Sequence, residues 1–243
     1  MIQQIITCYC NECDSINIEK NGTDYKSSQK YHCLDCNAYG TLYPQSRSYS
    51  QHFRELVLRA YRERPSMRGI TRIFGIARQT LARWLKEEAA ILPDLAETLE
   101  PPQEADVLEL DELWSFVLKK SEKRWIWIAL CRRTRQVVAY YIGDRSAQSC
   151  RNLWKRIPAA YKKLHSYSDF WDAYQKVFSS ETHQSVGKES GETNHVERWN
   201  NTLRQRLARF VRKTLSFSKS DIFHEIVLKL YIFYYNTEWC PIS

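Results

Sequence analysis

The stretch RWIWIALCRRTRQVVAYYIG, residues 124–143, carries the clearest structural pattern in this chain of 243 residues. Residues 124–131 and 137–143 are runs rich in β-branched and aromatic side chains, and the polar segment 132–136 joins them. Such runs are typical of strands, and a short polar connection between two of them indicates a hairpin. Residues 107–113 form a third run of the same kind. We therefore predict a sheet of at least three strands.

Segments with helical periodicity lie on both sides of these strands. In chain order they are residues 53–62, 67–74, 78–88, 147–164, 193–211 and 220–235, with a short strand before the fifth that ends at residues 168–169. The segment 93–104 holds three prolines among acidic residues, which is typical of a linker. The sequence therefore predicts a helical part, a linker and a mixed α and β part.

Two Cys-x-x-Cys pairs near the start of the chain have the spacing of a metal site. Cys10 and Cys13 form the first pair, Cys33 and Cys36 form the second, and 19 residues separate the pairs. Four thiolates arranged in this way can converge on one Zn²⁺, and the metal then supplies the folding free energy that so small a module lacks. Cys8 is an alternative to Cys10. We predict a ribbon-like module with a structural zinc at the four cysteines of the two pairs.

The second and third predicted helices have the pattern of a helix-turn-helix. Gly75 lies between them and can adopt the left-handed conformation that such a turn needs. The apolar residues that would lock the two helices together are Ile70, Phe74, Ile76, Leu81 and Trp84. Arg78, Gln79 and Arg83 are then left on the outer face, where they could contact base edges and phosphates of DNA. An ordinary helical hairpin with a solvated basic face is the alternative.

The charge of the chain favours a polyanionic partner. Lys and Arg number 36 against 28 Asp and Glu, a net charge of +8, and nine basic residues against four acidic ones fall between Ser50 and Glu88. No apolar run is long enough for a signal peptide or a membrane span, and five of the eight cysteines lie in the first 36 residues with metal-type spacing. We expect a reduced, soluble, cytoplasmic protein that binds DNA, associates with the nucleoid when bound, and has no membrane partner.

Carboxylates on separate elements are candidates for a divalent-metal site. A nuclease or strand-transfer enzyme holds two cations about 4 Å apart, which requires carboxylates that converge from different elements. Asp111 lies in the first β segment and Asp169 follows the later short strand. Alternation along the strand puts Glu109 on the same face as Asp111 and does not choose between them. Asp172 is similarly a rival of Asp169, or the first residue of a helix.

Glu197 is the third candidate, on the helix that follows Asp169. It lies beside the apolar stripe of that helix, with Asn201 and Arg204 on the same side. A carboxylate at the edge of a buried face can point into a cleft, and a solvated glutamate is the alternative.

A block of basic residues follows Glu197. Seven Lys and Arg with no acidic residue occupy residues 198–219: Arg198, Arg204, Arg206, Arg209, Arg212, Lys213 and Lys219. A solvated face normally mixes charges of both signs. We therefore predict that this block holds DNA phosphates, with Arg198, Arg204, Arg209, Arg212 and Lys213 as its main contacts.

These motifs together make the chain resemble the transposases of the insertion-sequence-one family over nearly its whole length. Besides the cysteine pairs and the helix-turn-helix, the segments that carry the resemblance are LDELWSF (110–116), SD (168–169), HVER (195–198) and RKTLSFSK (212–219). The resemblance implies a ribonuclease-H-like mixed sheet with flanking helices, and it assigns the catalytic, metal-binding triad to Asp111, Asp169 and Glu197. It also implies recognition of terminal inverted repeats.

The expected organisation is a zinc-ribbon module (1–45), a helix-turn-helix DNA-binding domain (46–92), the linker (93–104) and a ribonuclease-H-like DDE catalytic domain (105–243). The expected activity is metal-dependent cleavage of the element ends and strand transfer into target DNA. Two Mg²⁺ or Mn²⁺ ions per active site and one structural Zn²⁺ are the expected cofactors. DNA and further copies of the chain, as a homodimer or higher homo-oligomer, are the expected partners. A non-enzymatic DNA-binding regulator and a metal-dependent nuclease without joining activity are the alternatives.

Overall fold

A computed structural model of the protein describes residues 7–42 and 48–239. The chain divides into two compact units, Met1–Gln51 and His52–Ser243. The predicted boundary between residues 45 and 46 lies outside the described residues. No helix in the described ranges is both long and apolar enough to cross a bilayer.

The N-terminal unit contains a small antiparallel sheet. Its three strands, in the spatial order β1-β2-β3, are β1 (Ile18–Thr23), β2 (Gln29–Cys33) and β3 (Tyr39–Thr41). Tight turns hold both cysteine pairs: the Asp14 N–H donates to the Cys10 carbonyl at 2.8 Å, and the Asn37 N–H donates to the Cys33 carbonyl at 2.9 Å. Asp14 and Asn37 have positive φ angles, which Asp and Asn adopt more readily than most residues.

The second unit begins with three helices: α1 (Gln51–Tyr61), α2 (Met67–Phe74) and α3 (Arg78–Ile91). Ser66 caps α2 by accepting a hydrogen bond from the Gly69 N–H at 3.0 Å. Gly75 ends α2 with a φ of 69°, the left-handed conformation that the sequence predicts. Four of the five predicted locking residues are buried, namely Ile70, Ile76, Leu81 and Trp84. The left-handed turn and the burial of these four side chains therefore agree with the sequence pattern.

A five-stranded mixed sheet forms the centre of this unit. Its strands are β4 (Val107–Phe116), β5 (Lys123–Cys131), β6 (Val137–Gly143), β7 (His165–Ser168) and β8 (His183–Ser185), in the spatial order β6-β5-β4-β7-β8. The strands β4, β5 and β6 pair antiparallel, which confirms the predicted hairpin, whereas β7 pairs parallel with both of its neighbours.

Helices cover both faces of the sheet. They are α4 (Ala147–Arg156), the short α5 (Asp172–Gln175), α6 (Asn194–Arg206) and α7 (Asp221–Tyr234). Leu110 and Trp127 belong to the core beneath α4 and α5, whereas Leu113 and Ile128 belong to the core beneath α6 and α7. The alternation along β4 therefore sends neighbouring side chains into two different cores.

Two predicted helices are longer in the sequence pattern than in the structure. Helix α4 ends at Arg156 because Pro158 steers the preceding residue out of the helical region, and Ile157 has a ψ of 125°. Helix α6 ends at Arg206, and a separate 3₁₀ turn at Ala208–Phe210 follows it. The three-residue strand β8 is an element that the sequence pattern does not predict.

Helix α3 packs on α7. Glu88 of α3 accepts hydrogen bonds from Arg62 Nη2 at 3.0 Å and from the Tyr234 hydroxyl at 2.5 Å. The Lys229 ammonium donates to the Ala89 carbonyl at 2.8 Å. Buried Glu88 and its partners therefore fix α3 relative to the core of the sheet domain.

The predicted linker, residues 93–104, also lies against the sheet. The Gln136 side-chain amide donates to the Thr98 carbonyl at 2.8 Å, and the Tyr161 hydroxyl donates to the Glu100 carbonyl at 2.6 Å. These contacts order the linker along the β6 side of the unit.

Candidate active site and DNA-binding surfaces

Two of the predicted carboxylates lie on or directly after neighbouring parallel strands. Asp111 lies in β4, and Asp169 directly follows β7. The register of these strands pairs Glu109 with Tyr167. Asp169 follows Tyr167 by two residues, as Asp111 follows Glu109, and the charge of Asp169 raises the pKa of Asp111.

Asp111 is half-buried and its two carboxylate oxygens have different partners. Oδ2 accepts a hydrogen bond from the Asn200 side-chain amide at 2.7 Å, and Oδ1 accepts one from the Glu112 N–H at 2.8 Å. Burial, with the neighbouring charges of Glu112 and Asp169, raises the pKa of Asp111 to about 7. The two hydrogen bonds lower the pKa but do not offset the effect of burial and of the neighbouring carboxylates.

Glu109, which the sequence pattern could not separate from Asp111, has a different environment. It is fully buried, and Oε2 accepts hydrogen bonds from the backbone N–H groups of His195 and Val196 at 2.9 and 3.0 Å. Oε1 accepts from Arg132 Nε at 2.8 Å and lies 2.7 Å from Nδ1 of His195. Glu109 therefore satisfies the free N–H groups at the start of α6 and ties that helix to β4.

Glu197 is half-buried in the first turn of α6 and accepts a hydrogen bond from the Thr193 hydroxyl at 3.2 Å. Asn200, three residues later, is buried beside Asp111. The helical spacing placed Asn201 and Arg204 on the same side as Glu197, but Asn201 is exposed. Asn200 is therefore the polar residue that the sequence analysis missed, and the i, i+3 spacing from Glu197 is the pattern that could have found it.

The three carboxylates do not form a closed cluster. Across residues 7–42 and 48–239, only the four cysteines form a group of three or more possible ligands with all ligand atoms within 4.8 Å of one another. Carboxylates without a cation between them repel one another. A bound cation would lower the raised pKa of Asp111. It would also give a partner to the buried Oδ1 of Asn200, which has none in the described part of the chain. Both groups offer oxygen, so the site suits a hard divalent cation.

On the opposite face of β4, Glu112 supports the turn that carries Asp169. The buried Glu112 carboxylate pairs with Arg145 and accepts a hydrogen bond from the Tyr174 hydroxyl at 2.9 Å. The Arg145 guanidinium lies 3.8 Å from the ring centroid of Trp171, whose backbone N–H donates to Asp169 Oδ1 at 3.0 Å. A chain of direct contacts therefore runs from β4 to Asp169.

Asp172, the rival of Asp169, is the first residue of α5. Its side chain is 65% exposed and pairs with Lys176 one turn later. This environment is typical of a residue that begins a helix, which is the alternative to metal binding at this position.

Two arginines of the basic block have restricted positions. Arg204 is half-buried, its Nη2 lies 3.5 Å from the Trp114 carbonyl, and burial together with the charge of Arg212 lowers its pKa. Arg209 is buried, and its guanidinium donates to the Ser218 hydroxyl at 3.2 Å and to the Tyr61 hydroxyl at 2.7 Å. The prediction that Arg209 contacts DNA is corrected here, because these bonds hold it inside the protein and join α1 to the segment before α7.

The remaining predicted DNA contacts are accessible. Exposed side chains on and after α6 are those of Arg198, Arg212 and Lys213. Exposed side chains on α3 are those of Arg78, Gln79 and Arg83. The structure therefore presents two basic surfaces, one on α3 and one around the end of α6.

The N-terminal unit brings the four predicted zinc ligands together. The sulfur atoms of Cys10 and Cys36 are 3.5 Å apart, and those of Cys13 and Cys33 are 3.7 Å apart. Tetrahedral Zn²⁺ with Zn–S bonds of about 2.3 Å requires sulfur atoms about 3.8 Å apart, so the group fits zinc. Cys8 does not belong to this group.

Comparison with known proteins identifies the family of this chain. The sequence model of the IS1 transposase family matches residues 106–236, more than half of the chain. The insertion element iso-IS1n protein InsB of Shigella dysenteriae is 37% identical over 126 residues, 52% of this chain and 93% of that protein. The insertion element IS1 protein InsB of Shigella flexneri is 36% identical over 124 residues, 51% of this chain and 92% of that protein. The chain therefore belongs to the IS1 transposase family.

Proposed function

We propose that this transposase binds the terminal inverted repeats of its element and cuts and joins DNA at a ribonuclease-H-like site formed by Asp111, Asp169 and Glu197. The observation that carries the proposal is the parallel pairing of β4 and β7, which supports a common site for Asp111 and Asp169, and the charge of Asp169 contributes to the raised pKa of Asp111. The mixed sheet is consistent with this fold class. Glu109 and Asn200 support the proposal further, because they fix the helix of Glu197 against the same strand.

Divalent cations are part of this proposal. Asp111 and Asp169 would share two Mg²⁺ or Mn²⁺ ions, and Glu197 would complete the second position. Such ions supply an activated attacking oxygen and stabilise the leaving oxygen. Asn200 is the further side chain whose unpartnered Oδ1 suits this site. The N-terminal cysteines would hold a structural Zn²⁺, with Cys10 and not Cys8 as the fourth ligand.

Two successive substitutions at phosphorus follow from this site. Water first attacks the phosphodiester at the element end, the P–O3′ bond breaks, and the element strand is left with a 3′-hydroxyl. That hydroxyl then attacks a target phosphodiester, forming a new P–O bond as the old P–O3′ bond of the target breaks. The protein would hold the reacting phosphate in line beside Asp111 and Asp169. Arg204, near the start of the basic block, would neutralise the charge of one phosphate oxygen.

The two basic surfaces would divide the binding of DNA between them. The exposed face of α3, with Arg78, Gln79 and Arg83, would enter the major groove and read sequence, as in a helix-turn-helix protein. Arg198, Arg212 and Lys213 would contact phosphates near the site of cleavage. We assign Arg209 to the support of this segment, since its guanidinium is occupied inside the protein. The protein would work in the cytoplasm, at the nucleoid, as a homodimer or higher homo-oligomer.

Incubation of the protein with labelled element-end DNA, target DNA and Mg²⁺ tests the proposal. Nicking at the end followed by joined product is the expected result, and Asp111→Asn should remove both. Nicking without joining would favour a nuclease. End binding without nicking in either Mg²⁺ or Mn²⁺ would favour a DNA-binding regulator.

A further inference from the structure

A cavity of about 620 Å³ lies between the start of α2 and the segment that follows α6. One wall comes from the residues just before and within α2, and the other comes from residues 206–209 and 215–220. It therefore lies between the two basic surfaces and shares Arg78 with the surface on α3. The first turns of α2 and α7 both border it, which adds the partial positive charge of two helix N-termini.

The charged side chains of this cavity are all basic. They are Arg64, Arg68, Arg72, Arg78, Arg206, Arg209 and Lys219, and no Asp or Glu is among the residues that line it. Arg206 pairs with Glu63 at 3.3 Å, and Arg209 is occupied by its internal bonds. The exposed guanidiniums of Arg64 and Arg68 and the exposed ammonium of Lys219 leave a strongly positive rim. A rim of this composition fits a phosphate group.

The rest of the lining is apolar and partly aromatic. Met67 and Leu207 contribute aliphatic surface, and Phe217 and Phe223 contribute rings. Phe217 is supported from behind by Phe116, at 5.6 Å between ring centroids. A basic rim over an aromatic floor matches a nucleotide, which offers a phosphate at one end and a flat base at the other.

A nearly fully exposed leucine lies at this cavity. Leu215 is 99% exposed and lines the cavity from the loop before α7. An apolar side chain beside a basic surface can enter a base step and fill the gap that a displaced base leaves. The cavity and Leu215 therefore provide a place for a displaced base and a replacement for it in the stack.

We infer that the cavity holds one unpaired nucleotide of the element end, with Leu215 in the place of its base. This inference rests on the proposed function. Arg206 at the cavity and Glu197 at the candidate active site lie on the same helix, about 14 Å apart along its axis. The cavity and the candidate active site therefore border the same helix, and the captured nucleotide lies near the phosphate that is cut.

The inference is tested by measuring binding to element-end duplexes that carry a single abasic site in the strand complementary to the captured nucleotide. An abasic site opposite the captured nucleotide removes the cost of unpairing, so scanning it along the end should reveal one position that tightens binding by about tenfold. Leu215→Ser should weaken binding to the intact duplex and should be rescued by the abasic site at that position. Leu56→Ser, an exposed leucine on α1 away from the cavity, is the matched control.

Arg68→Ala provides a second variant on an exposed side chain and should weaken binding to both duplexes, whereas Arg59→Ala on α1 should not. If no abasic position near the cleavage site improves binding, or if Leu215→Ser is equally weak on both duplexes, the nucleotide site is wrong while the proposed transposition activity stands. If the wild-type protein does not bind element ends at all, the proposed function fails and this inference fails with it.

Discussion

The side-chain amide of Asn200 donates a hydrogen bond to Oδ2 of Asp111 at 2.7 Å. This bond joins the helix that carries Glu197 to the strand that carries Asp111. Glu109 makes a second connection between the same two elements, at the first turn of the helix. Two polar contacts therefore help to set the position of Glu197 relative to Asp111, in addition to the apolar packing of the helix.

The first prediction follows from the Asn200 contact. Asn200→Ala removes the bond to Asp111 and should slow end cleavage by about a hundredfold, because a small displacement of reacting groups has a cost of this order. End binding should change little. Asn201→Ala, at the exposed neighbouring position, is the control. Equal cleavage rates for the two variants would show that the Asn200 bond does not position the site.

The second prediction concerns the carboxylates. Asp111→Asn, Asp169→Asn and Glu197→Gln should each abolish cleavage and leave end binding nearly intact, because each removes a proposed metal ligand and none lies on the α3 surface. Asp172→Asn, which is exposed and paired with Lys176, should retain cleavage. Gel-shift and cleavage assays on the same end duplex measure both properties. Substantial cleavage by any one of the three variants would remove that residue from the triad.

Local sequence patterns predicted the elements that have long, uniform runs. The hairpin at residues 124–143 was predictable because two apolar runs flank a polar connection, and Gly75 because a left-handed turn favours glycine. Strand β8 was not predictable, because it has three residues and only His183 among them is buried. The end of α4 could have been predicted, because Pro158 disfavours the helical conformation of the residue before it.

The candidate site shows a different limit. Helical spacing placed Glu197 near a buried face, and it placed Asn201 on the same side. The structure instead buries Asn200, one residue earlier, and leaves Asn201 exposed. Charge patterning likewise placed Arg209 with the exposed arginines, because a run of basic residues does not reveal which side chain finds hydroxyl partners inside the protein. Contacts between elements distant in sequence decide such roles, and no local pattern contains them.

The third prediction addresses the N-terminal metal site. Cys13→Ser or Cys36→Ser should unfold the small sheet and weaken specific end binding, because a structural zinc supplies folding free energy directly. Cys8→Ser should be much milder, since Cys8 lies outside the group of four sulfur atoms. Metal analysis should find one zinc per chain in the wild-type protein and in Cys8→Ser. An intact protein without zinc would contradict the assignment.

The fourth prediction is a loss of stability in mild acid. His224 is fully buried and Nδ1 lies 2.7 Å from the Ser218 hydroxyl. Burial, helped by the charges of Arg209 and Arg124, lowers the pKa of His224 to about 4. The charge of Asp221 acts in the opposite direction and only partly offsets this shift. Because this value lies below the ordinary value of 6.5, the contribution of neutral His224 is present above pH 6.5 and is lost as the pH falls toward 4.

Urea unfolding at several pH values measures this effect. The wild-type free energy of unfolding should fall between pH 6.5 and 4, and His224→Asn, whose amide can replace Nδ1, should flatten that fall. Some pH dependence should remain, because burial also lowers the pKa of His183 to about 4. An unchanged pH profile in His224→Asn would show that this histidine is not the acid-sensitive group.

The fifth prediction distinguishes the two basic surfaces by the kind of DNA binding that is lost when each is mutated. Arg83→Ala on the exposed face of α3 should cost about 1–3 kcal/mol on end DNA and much less on scrambled DNA, if the side chain contacts a base edge. Arg212→Ala, beyond α6, should weaken binding to both duplexes alike and flatten the log–log salt dependence by up to about one unit. Specificity would fall in the first variant and survive in the second, because base contacts carry sequence information and phosphate contacts do not.

Arg209→Ala should differ from both and lower thermal stability, since it removes the buried bonds to Tyr61 and Ser218. Titrations at several salt concentrations distinguish these outcomes, and equal losses on both duplexes for Arg83→Ala would show that α3 does not read the element ends.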